Sequence, residues 1–348
     1  MDFPGEKLVM KLWETLAEKG IGSLLTPWQT VREGRARNEI RRQELLMLAQ
    51  AERDAADLRA GRKTLRPDGT LALVGPPPES SNRSDQRVEP VFDLPHAANA
   101  AARVVAANNV RSEINASKAV VFAEEQLAVD PQEPAPRQVD EDWLFAWREN
   151  AGKVSNEDLQ RLWGSVLAGE VKSPGKYSIR TLDFLKALSK DEAELISNLA
   201  RYVITARIFR SQNAYLESKG LNFNLLLKMQ ELGVISGVEA VGLTTAFKTN
   251  AEGKFLRVFV SHDKALVVEH EDPARSLEME VYLLTEVGKQ VLGLGSFEPD
   301  LDYLKLIGSE IASKGFQVQL ADWENISETH GRYFNSQPVQ SVQPPAEA

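Results

Sequence analysis

Residues 155–167 read SNEDLQRLWGSVL, and this stretch sets the helical character of the chain. Its first four residues resemble a capping box in which an acid takes the place of the usual glutamate. Apolar side chains then recur at the i, i+3, i+4, i+7 and i+8 spacing of one helix face: Leu159, Leu162, Trp163, Val166 and Leu167. The stretch therefore predicts an amphipathic helix with a defined start and a buried Trp163.

Start and stop signals of further helices lie on both sides of this stretch. They are Asp140 or Asp142 as an N-cap, Pro174 and Gly175 as a stop, Ser178 or Thr181 as another start, and Ser189 to Glu192 as a second capping box. We predict a small helical bundle over residues 140–220. Its core is expected to hold Trp143, Trp147 and Trp163.

Toward the N-terminus, residues 96–129 predict an Ala-rich helix whose small side chains suit close helix packing. Its apolar positions are Val104, Val105, Ile114, Val120, Val121 and Leu127. The prolines within residues 130–136 predict a domain boundary. Residues 64–95, with a Pro-Asp-Gly turn and a Gly-Pro-Pro-Pro run, predict a flexible linker. Residues 1–63 predict an amphipathic helix followed by a charged helix, the latter part of a helical hairpin or coiled-coil arm.

Toward the C-terminus, the pattern changes to mixed helix and strand. Residues 255–260 and 265–270 alternate like strands around a turn at Ser261 to Lys264. Residues 280–284 predict a further strand, and Thr285 is expected to cap the next helix. A helix ending at Gly233, a hairpin and a further helix follow the order of a winged-helix domain, which we place at 221–335. The Pro- and Gln-rich tail, residues 336–348, is expected to be disordered.

The fold class is therefore mainly α with a smaller α+β part: extended N-terminal helices, a small helical bundle and a winged-helix-like C-terminal domain. Of 348 residues, 43% are hydrophobic, enough to bury a core. The chain has no cysteine, which excludes disulfides, thiolate metal sites and cysteine nucleophiles. Only four histidines are present, and no nucleophile elbow or phosphate loop occurs. We predict no catalytic residue, cofactor, metal or small-molecule substrate.

Charge is unevenly spread along the chain. The 41 basic and 50 acidic residues give a net charge of −9, which argues against a chain-wide nucleic-acid surface. Residues 123–158 hold ten acids and three bases, whereas residues 201–230 hold five bases and one acid. Two interpretations stay open: the basic stretch contacts DNA phosphates through Arg201, Arg207, Arg210, Lys219 and Lys228, or its cations pair with acids elsewhere in the protein.

The first predicted helix is amphipathic. Leu8, Leu12 and Leu16 recur every four residues with Trp13 beside them, and mixed Lys and Glu fill the polar side. These four residues could contact a membrane surface or a partner, or dock on the rest of the protein; the mixed charges favour docking. No secretory signal or membrane span is evident, so we expect a cytoplasmic location, with peripheral contact at the inner membrane as the alternative.

Several strings resemble an uncharacterised bacterial family known only as a domain of unknown function. They are DEDW at 140–143, DLQRLWG at 158–164, LAGE at 167–170, PG at 174–175, SIRTL at 178–182 and ELGVI at 231–235. The resemblance runs from the N-terminal segment to the helix after Thr285 and is most specific around residues 140–190. The overall plan also resembles the abortive-infection alpha group of phage-resistance proteins.

These resemblances imply a bacterial origin and a role in defence against phage, and they supply no catalytic residues. Together with the absence of catalytic motifs, they favour a non-enzymatic interaction protein that oligomerises through its N-terminal helices. The alternatives are a DNA-binding winged-helix regulator and a peripheral membrane effector. The expected partners are accordingly a protein or a second copy of the chain, then DNA, then a membrane surface.

Overall fold

The computed structural model describes residues 4–18, 37–66, 71–73, 94–239, 244–326 and 330–339. The chain divides into two compact units, an N-terminal unit of residues 1–182 and a C-terminal unit of residues 183–348. This division lies at residues 182–183, and the boundaries predicted at 130–136 and 220–221 lie on either side of it. Proline-rich composition marks a break in helix, but the segment 130–136 packs within the N-terminal unit, where Lys172 pairs with Asp130 at 2.6 Å.

The N-terminal unit is built from helices and one small hairpin. The helices are α1 (Glu6–Glu18), α2 (Arg37–Arg59), α3 (Leu94–Ala128), α4 (Glu141–Gly152), α5 (Glu157–Lys172) and α6 (Ile179–Ala187). The division between the units falls within α6. Strands β1 (Lys63–Leu65) and β2 (Leu71–Leu73) form the hairpin. The predicted N-terminal helices and the Ala-rich helix belong to this unit, whereas the helical bundle predicted over residues 140–220 is divided between the two units.

Helix α3 is the central element of this unit, and α5 packs directly against its second half. A Cβ placed on Gly164 of α5 would lie 2.8 Å from the carbonyl oxygen of Ala119 and 3.1 Å from the backbone nitrogen of Ala123. Ala119 and Ala123 are fully buried. The small residues therefore bring the two helix backbones into contact, as their composition predicted.

The capping signals place α4 and α7 (Lys190–Ala200) largely as predicted. Asp140 caps α4 by accepting from the Trp143 amide, and Ser189 and Glu192 form the capping box of α7. The cap of α5 is Asn156, not Ser155, because its side chain accepts from the Leu159 amide. Leu159, predicted to be part of the buried stripe, is 48% exposed.

The three tryptophans predicted as core are buried. The Trp147 indole donates to the Trp163 carbonyl oxygen at 2.9 Å and so joins α4 to α5. Gln160, also buried, donates to Asn115 of α3 and to the Val154 carbonyl, while Asn115 donates to the Gly152 carbonyl. This polar network fixes the α4–α5 turn on α3, since each buried amide finds a partner.

The predicted linker contains ordered structure. Before this segment, helix α2 runs antiparallel to the middle of α3, with Glu52 beside Lys118 and Arg59 beside Asn108. Strands β1 and β2 follow α2 and pair antiparallel, with Lys63 opposite Leu73. Residues 67–70 between them lie outside the described ranges. Residues 19–36 and 74–93 lie outside the described ranges.

The C-terminal unit is a mixed α and β structure. Its remaining helices are α8 (Asn213–Ser218), α9 (Phe223–Glu231), α10 (Glu286–Leu292) and α11 (Leu301–Ser313). Its strands are β3 (Arg207–Phe209), β4 (Ile235–Ser236), β5 (Thr244–Phe247), β6 (Phe255–Ser261), β7 (Lys264–His270), β8 (Leu277–Leu284), β9 (Gln317–Asn325) and β10 (Gly331–Pro338). The predicted hairpin, the strand before Thr285 and the Thr285 cap are confirmed.

The strands form two antiparallel sheets. One has the order β10-β9-β7-β6, and the other has the order β3-β8-β4, with β5 also pairing with β8. Helix α11 packs on β7 and β9. The buried Tyr303 hydroxyl of α11 exchanges hydrogen bonds with the backbone of Phe209, at 2.8 and 3.1 Å, and so ties this helix to β3.

Two details of the C-terminal prediction change. The hairpin predicted as the wing belongs to the β10-β9-β7-β6 sheet, because β7 pairs along its length with β9. The tail predicted to be disordered from residue 336 begins with strand: β10 continues to Pro338, which pairs with Gln319. Residues 340–348 lie outside the described ranges.

Candidate functional site

A strained two-residue turn precedes strand β3. Thr205 and Ala206 have φ angles of 47° and 58°, in the left-handed region that costs non-glycine residues about 1–2 kcal/mol each. Ile204 and Arg207 close the turn with two backbone hydrogen bonds of 2.8 and 3.0 Å. The Thr205 hydroxyl accepts from the Val260 amide at 2.8 Å, and this contact with β6 holds the turn in place. The turn therefore delivers Arg207 in one fixed position.

Arg207 and a second arginine contact the same aromatic ring. Its guanidinium carbon is 5.1 Å from the centroid of the Phe247 ring, and that of Arg257 is 5.7 Å from the same centroid. Phe247 is buried and packs edge-on against Phe259, whereas both arginines are half-buried. Burial, and secondly the Arg257 charge, lower the pKa of Arg207. The ring thus carries two like charges.

Two further cations of residues 201–230, one next to β3 and one at the end of α8, also stack on aromatic rings. Arg210 lies over Tyr282 at 5.1 Å, and Lys219 lies over Tyr215 at 5.2 Å. The Tyr215 hydroxyl donates to Asp300 at 2.9 Å; burial, followed by this hydrogen bond, raises the pKa of Tyr215. These aromatic side chains therefore take part in contacts within the C-terminal unit.

Arg201 and Lys228 complete the predicted basic set, and both are exposed. Arg201 is the C-cap of α7, and Lys228 lies in the last turn of α9. Lys228 acts electrostatically on Glu192 of α7, whose pKa is lowered mainly by its hydrogen bonds to Ser189. The five predicted cations are therefore carried by separate elements, and Arg207 shares its ring with a residue outside the set.

Sequence reasoning missed Arg257. A signal was present, because Arg257 is the one charged residue in the apolar run at 255–260. A half-buried strand tolerates an arginine when its guanidinium reaches a partner, and here that partner is a ring on β5. The Arg257 guanidinium also donates to the Asn250 side chain. The pairing of Arg207 with Arg257 depends on the β5–β6 geometry, which residue spacing does not encode.

The candidate membrane or partner residues of α1 are placed in the core of the N-terminal unit. Leu8, Leu12, Trp13 and Leu16 are all at least 92% buried, against α3 and α5. Gly5 permits this docking, because a Cβ there would collide with the Leu127 carbonyl oxygen. The docking interpretation therefore replaces the membrane-contact hypothesis for these side chains. No helix within the described ranges has the length and apolarity needed to cross a bilayer.

A cleft of about 410 Å³ lies between α1 and the segment before α4. Lys11 lines it and donates to the carbonyl oxygens of Ala135 and Arg137 at 2.7 and 2.9 Å. Burial lowers the pKa of Lys11, and the buried Glu170 acts in the opposite direction. Lys7, at the cleft edge, pairs with Glu133 at 2.6 Å. The cleft cations therefore hold α1 to the neighbouring loop.

The histidines of the C-terminal unit make local contacts. His262 lies in the β6–β7 turn with its Nε2 2.8 Å from the Ala200 carbonyl oxygen, and His270 accepts from the Asp272 amide at 3.0 Å. Throughout the part of the chain that the structure describes, no group of three or more His, Asp or Glu residues is arranged to hold a metal ion.

The burial of α1 predicts how substitutions on its two faces differ. Leu12→Ala, at a fully buried position, should lower the free energy of unfolding by about 2–5 kcal/mol. Met10→Ala on the same helix, where Met10 is 55% exposed, should change it by less than about 0.5 kcal/mol. Urea unfolding followed by tryptophan fluorescence measures both. Equal effects would mean that the Leu12 face is not docked.

Residues 101–212 match the family described as "Protein of unknown function (DUF2806)". The match runs from within α3 to the turn after β3 and includes the α3–α5 contact and Arg207. It confirms, over that stretch, the expected resemblance to a domain-of-unknown-function family. No curated protein and no solved structure matches the chain significantly.

Proposed function

We propose that this chain is a non-enzymatic bacterial interaction protein that oligomerises through its N-terminal helices. The observation that supports this proposal is the first half of α3. There Ala101, Ala102, Val104 and Val105 are exposed, with Val104 at 46% and Val105 at 57%. An exposed apolar stretch along a helix is typical of an interaction surface.

The second half of α3 supports the same proposal. Its Ala119 and Ala123 allow α5 to approach closely within the unit, and the exposed first half carries the same kinds of small side chain. A helix of a second copy of the chain could therefore pack on this half as α5 packs on the other. The oligomerising surface is accordingly assigned to α3 and not to α1, whose apolar face is already covered.

A role in phage defence, in the bacterial cytoplasm, rests on the resemblance to the abortive-infection alpha group. The family match supports the domain-of-unknown-function relationship and does not extend to defence. Within this proposal, self-association of α3 would be the step that a phage-derived trigger controls. The gene neighbourhood in the source genome separates a defence system from a regulated operon.

Replacing both valines tests the oligomer. Val104→Glu with Val105→Glu should weaken self-association by at least about tenfold, or 1.4 kcal/mol, because two charges would enter an apolar interface. The matched control is Val129→Glu, at an exposed position just after α3. Sedimentation velocity over a wide range of protein concentration measures the association. A chain that stays monomeric at high concentration, or a double variant that associates like the wild type, contradicts the proposal.

The second candidate function is a DNA-binding winged-helix regulator. The order α7, β3, α8, α9, β4, β8 and the sheet order β3-β8-β4 support this candidate, because they agree with the order expected of a winged-helix module. In that module α9 would be the recognition helix, and β5 to β7 would be an insertion between its last two strands. This topology is the observation that favours the candidate.

The negative net charge of the C-terminal unit makes DNA binding the weaker of the two candidate functions. Residues 183–348 contain 23 acidic and 16 basic residues, a net charge of −7. On α9 the exposed Lys228 is followed by the exposed Glu231. Phosphate contacts supply most of the affinity for DNA, so a unit with this charge is poorly suited to it. Winged-helix modules also serve as protein-binding modules, which agrees with the first proposal.

We expect no saturable binding of duplex DNA at low salt. Fluorescence anisotropy with a labelled duplex measures this, using the full chain, a Lys219→Gln plus Lys228→Gln variant and a Lys305→Gln control on α11. Binding that is salt-dependent, and that the double variant but not Lys305→Gln removes, would reverse the ranking and establish the regulator.

A further inference from the structure

The Phe247 ring brings together two guanidinium groups that would otherwise repel each other. Arg207 reaches it from β3 and Arg257 from β6, at 5.1 and 5.7 Å from the ring centroid. Both arginine residues are half-buried, so solvent screens their repulsion only in part. No ion pair among the described residues includes either arginine. Among the described residues, the pair therefore has no carboxylate that would offset its repulsion.

Part of the donor capacity of the pair is unused. Each guanidinium has five N–H groups. Arg207 uses its Nη1 on the Thr205 carbonyl oxygen at 2.8 Å, and its buried Nε has no hydrogen-bond partner within the described residues. Arg257 uses its Nη1 on Asn250 and on the Lys248 carbonyl oxygen. These carbonyl and amide contacts orient both groups and neutralise neither.

The backbone around Arg207 is also specialised. The two consecutive left-handed residues, Thr205 and Ala206, are not glycine and are held by the Val260 backbone. Backbone held in such conformations concentrates at binding and active sites, where it fixes one side chain. Here the fixed side chain is Arg207.

We propose that Arg207 and Arg257 form a binding site for a phosphate dianion, such as a phosphomonoester or inorganic phosphate. A guanidinium matches phosphate oxygens with paired N–H donors, and two guanidinium groups match two negative charges. The Phe247 ring holds both groups in place before the ligand binds, which lowers the ordering cost of binding. This site is independent of the proposed oligomer of α3.

The chain provides a matched comparison in Arg275. Its guanidinium carbon is 5.2 Å from the centroid of the Phe316 ring, and its Nη2 donates to the Lys314 carbonyl oxygen at 2.6 Å. Arg275 therefore has the same kind of ring contact and backbone contact as Arg207. No second arginine shares its ring among the described residues.

Isothermal titration calorimetry of the full chain with inorganic phosphate tests the site. The buffer should be alkaline, well above the second pKa of inorganic phosphate, so that the ligand is a dianion. We expect saturable binding that Arg207→Gln and Arg257→Gln each weaken by at least about tenfold and that Arg275→Gln changes by less than about twofold. Dimethyl phosphate, a monoanionic diester, should bind at least about tenfold more weakly than phosphate.

If one variant is too unstable for calorimetry, the change in melting temperature with phosphate tests the same site. Phosphate should raise the melting temperature of the wild type and of Arg275→Gln, and should not raise that of Arg257→Gln. The proposal is overturned by the absence of saturable binding to the wild type, by an equal loss in Arg275→Gln, or by equal affinity for dimethyl phosphate. The last result would assign the pair to diester backbones such as those of nucleic acids.

Discussion

Helix α5 can lie against α3 only because Gly164 has no side chain. A Cβ at Gly164 would lie within 3.1 Å of Ala119, Phe122 and Ala123, all on one face of α3. At this separation the two backbones are in contact, and dispersion is gained along the whole interface. The N-terminal unit depends on this contact, because α1 packs on both α3 and α5 and α4 packs on both as well.

Buried hydrogen bonds, including one from a tryptophan indole, fix the position of α5 along α3. Asn115 of α3 and Gln160 of α5 bond to each other at 3.1 Å and to the backbone of the turn that joins α4 to α5. The Trp147 indole reaches the Trp163 carbonyl oxygen beside Gly164. A shift of α5 by one turn would leave these buried groups without partners, which is costly. Close packing and hydrogen bonding thus select one arrangement.

Local signals predicted the helix starts well. Asp140 and Ser189 cap their helices because an N-cap needs only a side-chain oxygen and an amide three residues on. Amphipathicity also predicted which face of α1 is apolar. It could not say whether another helix, a second copy or a membrane covers that face, because the cover comes from residues more than a hundred positions away.

Composition was less informative about where the units divide and about which basic residues come together. The prolines at 131–136 end a helix, yet Asp130 and Ala135 bind the last turn of α5, so the unit continues past them. Counting cations along residues 201–230 found Arg207 but not Arg257, because β6 meets the turn before β3 through the contact of Val260 with Thr205, more than fifty residues apart. In both cases, the contacts join segments that are far apart in the sequence, and residue spacing does not predict such contacts.

The unfolding free energy of Ala119→Leu tests the central contact most directly. Five of the six tryptophans lie in residues 1–182, so urea unfolding followed by fluorescence reports mainly on the N-terminal unit. Leucine at the fully buried Ala119 should cost at least about 1–3 kcal/mol, because the α3–α5 separation leaves no room for it. The control Ala102→Leu, at an exposed position of the same helix, should cost less than about 0.5 kcal/mol. Equal stability of the two variants would contradict the close α3–α5 contact.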